Sequence, residues 1–357
     1  MKRDVSTVIS PSRRRLIKAF AVGPLALKAA APIGAFLSIG THADGLAAQG
    51  LTKVNFQIGW LHSSNQIGEV CAKRMGFYEQ EGVELNIVQG GPNIDGLALV
   101  ATGRYEVGQL SSSPSLMVAV SQNVPIKCFA VGAQQHPFAF FSRKRSPVRS
   151  ANDLVGKRIG VSPTSLILVR ALLAKSAIDL KHVSLMTTGS DMTPLVKGDV
   201  DVMTGWLSNT AALKILGNDR VDLRLWDAGV RLYAQPYYAT HQTIYDRADI
   251  LARFLRATSK GWEFAFNDRE KALALLIAEF PHLNQDDERP AVDVMLSYAF
   301  NEATRQGGWG VMDNRIWADQ IELFARLGQF PRKVPRVDDV VTMDILNATR
   351  DSRPRIG

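Results

Sequence analysis

The stretch GWLHSSNQIGEVCAKRMGFYEQEGVEL (Gly59–Leu85) decides the fold. The preceding KVNFQIG (Lys53–Gly59) alternates apolar and polar residues, which predicts a strand. Helical spacing of apolar residues then predicts one buried stripe, formed by Ile67, Val70, Cys71, Met75 and Tyr78. Gly82 is the expected C-cap, and VELNIV after it predicts a second strand. The result is a strand–helix–strand unit whose first loop holds a tryptophan.

The same alternation continues along the chain. Further strands are predicted at EVGQL, PIKCFAVGA, RIGVS, VSLMT and DVDVMTG, with helices between them. Such alternation is typical of a parallel α/β sheet. From Ala248 to Leu327 the pattern becomes mostly helical. A length of 357 residues suggests about two domains.

The sequence of the N-terminus predicts an export signal. SRRRLIKAF matches the twin-arginine pattern through Ser12, Arg13, Arg14 and Lys18. The moderately apolar stretch Ala19–Gly40 contains Lys28 and two prolines, which argue against a stable membrane-spanning helix. Residues 1–48 are therefore predicted to be a cleaved twin-arginine signal peptide. The alternatives are a basic, disordered N-terminus and an uncleaved anchor.

The net charge of +8 is concentrated in that segment. Residues 1–48 hold seven Lys and Arg against two Asp, so +5 of the total lies there. The remaining +3 is spread over about 309 residues, which does not favour nucleic-acid binding.

Four strand-to-helix loops carry small polar residues or paired glycines: WLHSSN, GGPN, SSSPS and SPTS. Ligands of open α/β sheets bind outside the carboxyl ends of strands, where helix N-termini present free N–H groups. The loops therefore predict a polar binding rim. Each loop taken alone could also be an ordinary set of N-cap residues.

Motifs for most enzyme and metal classes are absent from the sequence. The six histidines have no metal-ligand spacing, and there is no Walker loop, G-x-G-x-x-G motif or G-x-S-x-G motif. Two isolated cysteines, Cys71 and Cys128, cannot hold an iron–sulfur cluster and are interpreted as buried apolar residues. We therefore expect no metal, no cofactor and no catalytic residues.

The ordered motifs resemble a known family. They are Trp60, Gly68, Gly76-Phe77-Tyr78, Gly82-Val83, GGPN, Gly103 with Glu106-Val107-Gly108, SPVRSANDLVGKRIGV, LVKGDVDVMTGW and DILARFLRATSKGWEFAFND. Their order resembles periplasmic solute-binding proteins for nitrate, sulfonates, taurine and thiamine-pyrimidine precursors. The resemblance covers Lys53–Gly328.

The resemblance implies an α/β, two-lobe periplasmic-binding-protein type II fold, with two Rossmann-like lobes joined by a two-segment hinge. Lobe 1 would span 49–145 plus 238–335, lobe 2 would span 146–237, and 336–357 would be a C-terminal tail. The hinge segments would lie near Phe140–Ser146 and Tyr237–Gln242. Hinge closure on a ligand is a standard motion of such proteins.

The resemblance also implies a function. The protein would be a periplasmic monomer that captures a small molecule and delivers it to the permease and ATPase subunits of an ABC importer. The twin-arginine translocase would be its partner during export, and no nucleic acid would be bound. Two alternatives remain open: a pyrimidine-precursor biosynthetic enzyme of the same fold, and a periplasmic sensor or scaffold protein. The enzyme carries a CCCFC-type cysteine run, which this sequence lacks.

The ligand-binding residues expected by position come from both lobes. They are Trp60, His62, Ser63, Asn65, Gly91, Asn93, Ser111, Ser112, Ser113, Ser162, Thr164, Ser165, Gly205, Trp206, Tyr238 and His241. We expect Trp60, Ser112, Thr164 and Trp206 to matter most, although each Trp could instead be a core residue. The loops contain no Arg or Lys, and their aromatic residues favour a pyrimidine-like or other small heterocycle over a sulfonate or nitrate.

Overall fold

A computed structural model describes residues 50–91 and 94–357, which form two five-stranded sheets with surrounding helices. The strands are β1 (Thr52–Gln57), β2 (Val83–Val88), β3 (Val107–Gln109), β4 (Ile126–Ala133), β5 (Phe138–Arg143), β6 (Arg158–Val161), β7 (Ser184–Thr187), β8 (Val202–Trp206), β9 (Arg220–Arg224) and β10 (Ala234–Thr240). The α-helices are α1 (Ile67–Arg74), α2 (Phe77–Gln80), α3 (Gly96–Ala101), α4 (Ser113–Ser121), α5 (Leu166–Lys175), α6 (Thr193–Lys197), α7 (Thr210–Leu213), α8 (His241–Asp246), α9 (Ala248–Asn267), α10 (Arg269–Glu279), α11 (Gln285–Ala299), α12 (Glu302–Gly307), α13 (Asn314–Arg326), α14 (Val337–Val340) and α15 (Asp344–Ala348). Short 3-10 helices occur at Ser64–Gln66, Ala151–Leu154, Pro163–Ser165, Leu180–His182 and Lys214–Asp219.

The first sheet has the order β2-β1-β3-β10-β4. β1 pairs in parallel with β2 and β3, as the sequence predicts for a strand–helix–strand unit. β10 enters between β3 and β4 and is antiparallel to both. This sheet and the helices packed on it are called the first lobe below.

The predicted helix after β1 is interrupted. It consists of α1 and α2, separated at Gly76, whose φ of +74° lies in the left-handed region that favours glycine. The apolar stripe is nevertheless kept across the break, because Ile67, Val70 and Tyr78 are all fully buried. α1 packs against α9, which is the longest helix of the C-terminal region.

The second sheet also has five strands, in the order β7-β6-β8-β5-β9. β6 is parallel to β7 and β8, while β5 is antiparallel to β8 and β9. This sheet and its helices are called the second lobe below.

The chain crosses between the sheets twice, and both crossings are earlier than the sequence suggests. It leaves the first sheet after Ala133, enters the second at Phe138, leaves after Arg224 and returns at Ala234. Phe138–Arg143, expected in lobe 1 and the hinge, is an interior strand of the second sheet because it pairs on both sides. Tyr237, expected to end lobe 2, belongs to the first sheet.

The segment predicted to be a C-terminal tail, 336–357, packs into the first lobe. Ile345 and Leu346 of α15 are buried, and Val341 forms a β-bridge with Cys128. The buried guanidinium of Arg353 donates hydrogen bonds to the carbonyl oxygens of Gly308, Trp309 and Leu346. Both cysteines are free and buried. Among the helices of the described residues, none combines the length and apolar character needed to cross a membrane.

Candidate functional site

The two crossings bring the strand ends of the two sheets together. In the first sheet, Ala234 at the start of β10 is bridged to Ser112, just beyond β3. In the second sheet, Phe138 at the start of β5 is paired with Trp206, at the end of β8. The connections between β4 and β5 and between β9 and β10 therefore join the two edges at which the candidate loops lie. A cleft between the lobes at this place would be lined by those loops.

Trp60 lies in the loop after β1 and is 46% exposed. This exposure rules out the alternative that Trp60 is a core residue. The loop is held to the loop after β2, because the Gly90 N–H donates a 3.0 Å hydrogen bond to the Trp60 carbonyl oxygen. The β2 loop also contains Gly91, which has a φ of +148°. Asn93 of the same loop lies outside the described residues.

The remainder of the loop after β1 is held in place by hydrogen bonds and by one aromatic stacking contact. The Ser63 hydroxyl accepts from the Asn65 N–H at 3.3 Å and caps the 3-10 helix Ser64–Gln66. The Asn65 carbonyl accepts a 2.8 Å bond from the Gln235 side-chain amide. His62 stacks on Phe280 with ring centroids 3.8 Å apart, and burial lowers the pKa of the imidazole. These contacts give His62 and Ser63 structural roles in holding the loop.

The three serines after β3 differ in exposure. Ser113 is fully buried, and its hydroxyl donates to Gln320 at 2.6 Å. Ser112 is nearly buried and is the N-cap residue of α4, whereas Ser111 is half-buried. The Ser111 carbonyl accepts from the Gln235 backbone N–H at 3.3 Å. Ser111 and Ser112 are therefore the members of this group nearest the surface.

The second lobe contributes two loops. The Ser162 hydroxyl lies 3.2 Å from that of Thr164 and donates to that of Ser165 at 2.8 Å, in a cluster just after β6. Thr164 is exposed. Gly205 and Trp206 end β8, and the half-buried Trp206 ring meets the His136 ring edge-on with centroids 4.9 Å apart.

Two of the predicted site residues are not brought to these loops. Tyr238 is 1% exposed, and its ring packs where a side chain on Gly108 would be. His241 follows β10, which runs antiparallel to β3, so it lies at the opposite edge of the first sheet. There its backbone N–H donates to the Pro125 carbonyl. The reason for both placements is the antiparallel insertion of β10.

Two residues at the crossings were not among the predicted ones. Gln235 adopts a left-handed φ of +54°, which is uncommon for a non-glycine residue, and its side-chain oxygen is buried without a partner. His136 is also buried; its Nδ1 accepts from the Phe138 N–H at 3.2 Å, and burial lowers the pKa of its imidazole to about 3. The polar run QQH between the apolar strands β4 and β5 was a usable sequence signal for His136; a left-handed Gln235 was not predictable from its residue type.

A buried polar network extends from the β1 loop into the core. The Gln66 amide donates to Gln109 at 3.2 Å, and the Gln109 amide donates to the Glu69 carboxylate at 3.2 Å. The Tyr237 hydroxyl also donates to that carboxylate. Burial raises the pKa of Glu69 to about 7, against the opposing effect of these hydrogen bonds. No Lys, Arg or His of the described ranges forms an ion pair with Glu69.

Metal binding finds no support in the described part of the chain. Residues 50–91 and 94–357 contain no group of three or more His, Cys, Asp or Glu side chains arranged to hold a metal ion.

The chain belongs to the NMT1/THI5-like family, whose pattern matches residues 63–272, more than half of its length. A formylaminopyrimidine-binding protein from Halalkalibacterium halodurans is 24% identical, and the match covers 76% of this chain and 84% of that protein. The riboflavin-binding protein RibY from Chloroflexus aurantiacus is 25% identical over 72% of this chain and 76% of its own length.

An enzyme and a further binding protein are also similar. The 4-amino-5-hydroxymethyl-2-methylpyrimidine phosphate synthase from Legionella pneumophila is 22% identical over 65% of this chain and 75% of its own length. The periplasmic aliphatic sulphonate-binding protein SsuA from Escherichia coli matches the fold with a TM-score of 0.64 and 15% identity, over 81% of this chain and 92% of its own. The periplasmic-binding-protein fold expected from the sequence is thereby confirmed.

Proposed function

We propose that this protein is the periplasmic solute-binding component of an ABC import system and that its solute is a pyrimidine-like or other small heterocycle. The observation that carries the proposal is the pair of tryptophans, Trp60 and Trp206, at strand ends of different sheets and outside the fully buried core. Aromatic rings on opposing lobes suit a flat ring system. The pyrimidine and riboflavin named for the two binding proteins above support this ligand class.

The proposed partners follow from the role. The permease and ATPase subunits of the importer would receive the solute, and the protein would act as a monomer without a cofactor. The ligand would be held by Ser111, Ser112 and Thr164 in addition to the two tryptophans, while Ser162, Ser165 and Gly205 would shape the second-lobe wall. Asn65, Gly91 and Asn93 would shape the first-lobe wall.

A ligand panel tests the proposal. Thermal unfolding of the mature protein is measured with 4-amino-5-hydroxymethyl-2-methylpyrimidine, formylaminopyrimidine, riboflavin and an alkanesulfonate. A ligand present at 100 times its Kd stabilises the folded state by about 2.7 kcal/mol. We expect the largest rise in melting temperature with a pyrimidine. A larger rise with the sulfonate would contradict the heterocycle assignment, and no rise with any compound would contradict small-molecule capture of these classes.

Similarity to the pyrimidine phosphate synthase makes an enzyme the second candidate. Mass spectrometry of the best ligand and of the protein after long incubation separates the two. A binding protein returns its ligand unchanged, and we expect that result. Chemical change of the ligand, or a loss of mass from the protein, would favour the enzyme.

The remaining part of the proposal is that the protein is exported through the twin-arginine pathway. The four residues of the export pattern, Ser12, Arg13, Arg14 and Lys18, lie outside the described residues. Changing Arg13 and Arg14 together to Lys should leave the protein in the cytoplasm, because the pathway recognises the arginine pair. The readout is the periplasmic fraction in a host with this pathway, and Arg15→Lys is the matched control. Unchanged periplasmic yield would show that a different route exports the protein.

A further inference from the structure

Helix α11 (Gln285–Ala299) connects the two lobes. On one side it is tied to α10 by the ion pairs Arg269–Asp293, at 2.7 Å, and Arg289–Glu270. On the other side Tyr298, near its C-terminus, packs into an apolar cluster formed mainly by residues of the second lobe. The N-terminal turn of this helix lies between the two tryptophan-bearing loops.

Glu288 holds the first of those loops. Its carboxylate accepts a 2.8 Å hydrogen bond from the backbone N–H of Ser64, which is 1% exposed and begins the 3-10 helix that follows the Trp60 loop. Because the acceptor is a side chain on α11, the loop of the first sheet is anchored to this helix.

Asp287 holds the second loop. Its backbone carbonyl accepts a 2.8 Å bond from the Thr210 hydroxyl, and its carboxylate forms an ion pair with Lys214. Thr210 begins α7, which follows Trp206 after a turn closed by a 3.0 Å bond from the Asn209 N–H to the Trp206 carbonyl. Consecutive side chains of an α-helix project about 100° apart, so neighbouring residues can reach different lobes.

We propose that Asp287 and Glu288 are positioning residues of the ligand cleft. Glu288 anchors the Trp60 loop, the ion pair of Asp287 with Lys214 acts as a clasp on the second lobe, and together they set the separation of Trp60 and Trp206. The assignment to a ligand cleft rests on the function proposed above. The clasp itself is a contact between lobes and can be measured without a ligand.

The first experiment measures lobe separation. Spin labels are placed on Arg104→Cys in the first lobe and Lys181→Cys in the second; both positions are exposed, and the native thiols are buried and should stay unlabelled. In the ligand-free protein, Asp287→Asn and Lys214→Met should each shift the distribution of distances between the two labels toward longer values. The double variant should show the same shift as either single variant, because both changes remove the same ion pair. Asp286→Asn, an exposed neighbour in the same turn, is the control and should leave it unchanged. Identical distributions in all variants would overturn the clasp.

The second experiment measures the Kd of the pyrimidine that gives the largest thermal shift. Asp287→Asn and Lys214→Met should each weaken binding by up to about fivefold, the upper end of what one partly exposed ion pair contributes. Glu288→Ala should weaken it by a similar factor through loss of the hydrogen bond to Ser64, whereas Glu288→Gln keeps an acceptor and should stay near wild type. If the wild type binds and no variant differs from Asp286→Asn, the positioning role is wrong. If the lobes separate but the wild type binds none of the panel, the clasp stands and the proposed function fails.

Discussion

Raising the pH from 5 to 8 should shift the stability difference between the wild type and Glu69→Gln by about 2–3 kcal/mol in favour of the variant. The reason is that Glu69 is completely buried on α1, without a counter-ion among the described residues, and burial raises its pKa from 4.5 to about 7. The folded protein therefore binds a proton that the unfolded chain has already lost in this range. One pKa unit corresponds to about 1.4 kcal/mol.

The sign follows from the direction of that shift. An acid with a raised pKa in the folded state contributes most stability below its unfolded pKa and loses it as the pH rises through the folded pKa. His62 and His136 have pKa values lowered by burial, so they act in the opposite direction and favour the folded state above pH 6.5. Comparing the wild type with Glu69→Gln cancels these shared contributions.

Urea unfolding at pH 5, 6, 7 and 8 provides the measurement, and Glu79→Gln, which removes an exposed carboxylate on α2, is the matched control. The difference in the free energy of unfolding between the wild type and Glu79→Gln should not change with pH across this range. A flat profile for Glu69→Gln as well would mean that the buried carboxyl keeps the same proton affinity in the folded and unfolded states.

Replacing Trp60 or Trp206, the two tryptophans proposed to line the ligand cleft, should have the largest effect on binding. Trp60→Ala and Trp206→Ala are each expected to weaken the affinity for the preferred pyrimidine about tenfold to a hundredfold. An aromatic wall stacked on a flat ring contributes about 1–3 kcal/mol in comparable stacking sites of nucleic-acid binders. Micromolar binding corresponds to about 8 kcal/mol in total, so one wall accounts for a sizeable share.

Titration calorimetry and tryptophan fluorescence measure this effect. Tyr245→Ala is the control, because Tyr245 is 88% exposed on α8, at the opposite edge of the first sheet. The melting temperature of the ligand-free protein should hardly change for Trp60→Ala, since that side chain is half-exposed. If Trp206→Ala lowers this melting temperature strongly and leaves the affinity intact, the contact of Trp206 with His136 is its main role.

Local patterns predicted most of the parallel parts of both sheets. In β1–α1–β2, apolar spacing, turn residues and short connections agree, and each can be recognised within about thirty residues of sequence. The same reasoning predicted the strand-end loops and placed Trp60 in one of them. It did not predict the break at Gly76, because a glycine within a helical pattern indicates the break only once its left-handed backbone is seen.

The sequence by itself determined the α/β alternation, the family resemblance and the loops from which a site could be built. Only the tertiary structure decided which loops meet. β10 pairs with β4 across about a hundred residues of chain, and both of its faces are buried, so it lacks the polar–apolar alternation that marks a strand locally. Its antiparallel entry placed Gln235 beside the loops after β1 and β3 and His241 at the opposite edge of the sheet. Pairing over such separations depends on the packing of the whole lobe, and that is why no short stretch of sequence could specify it.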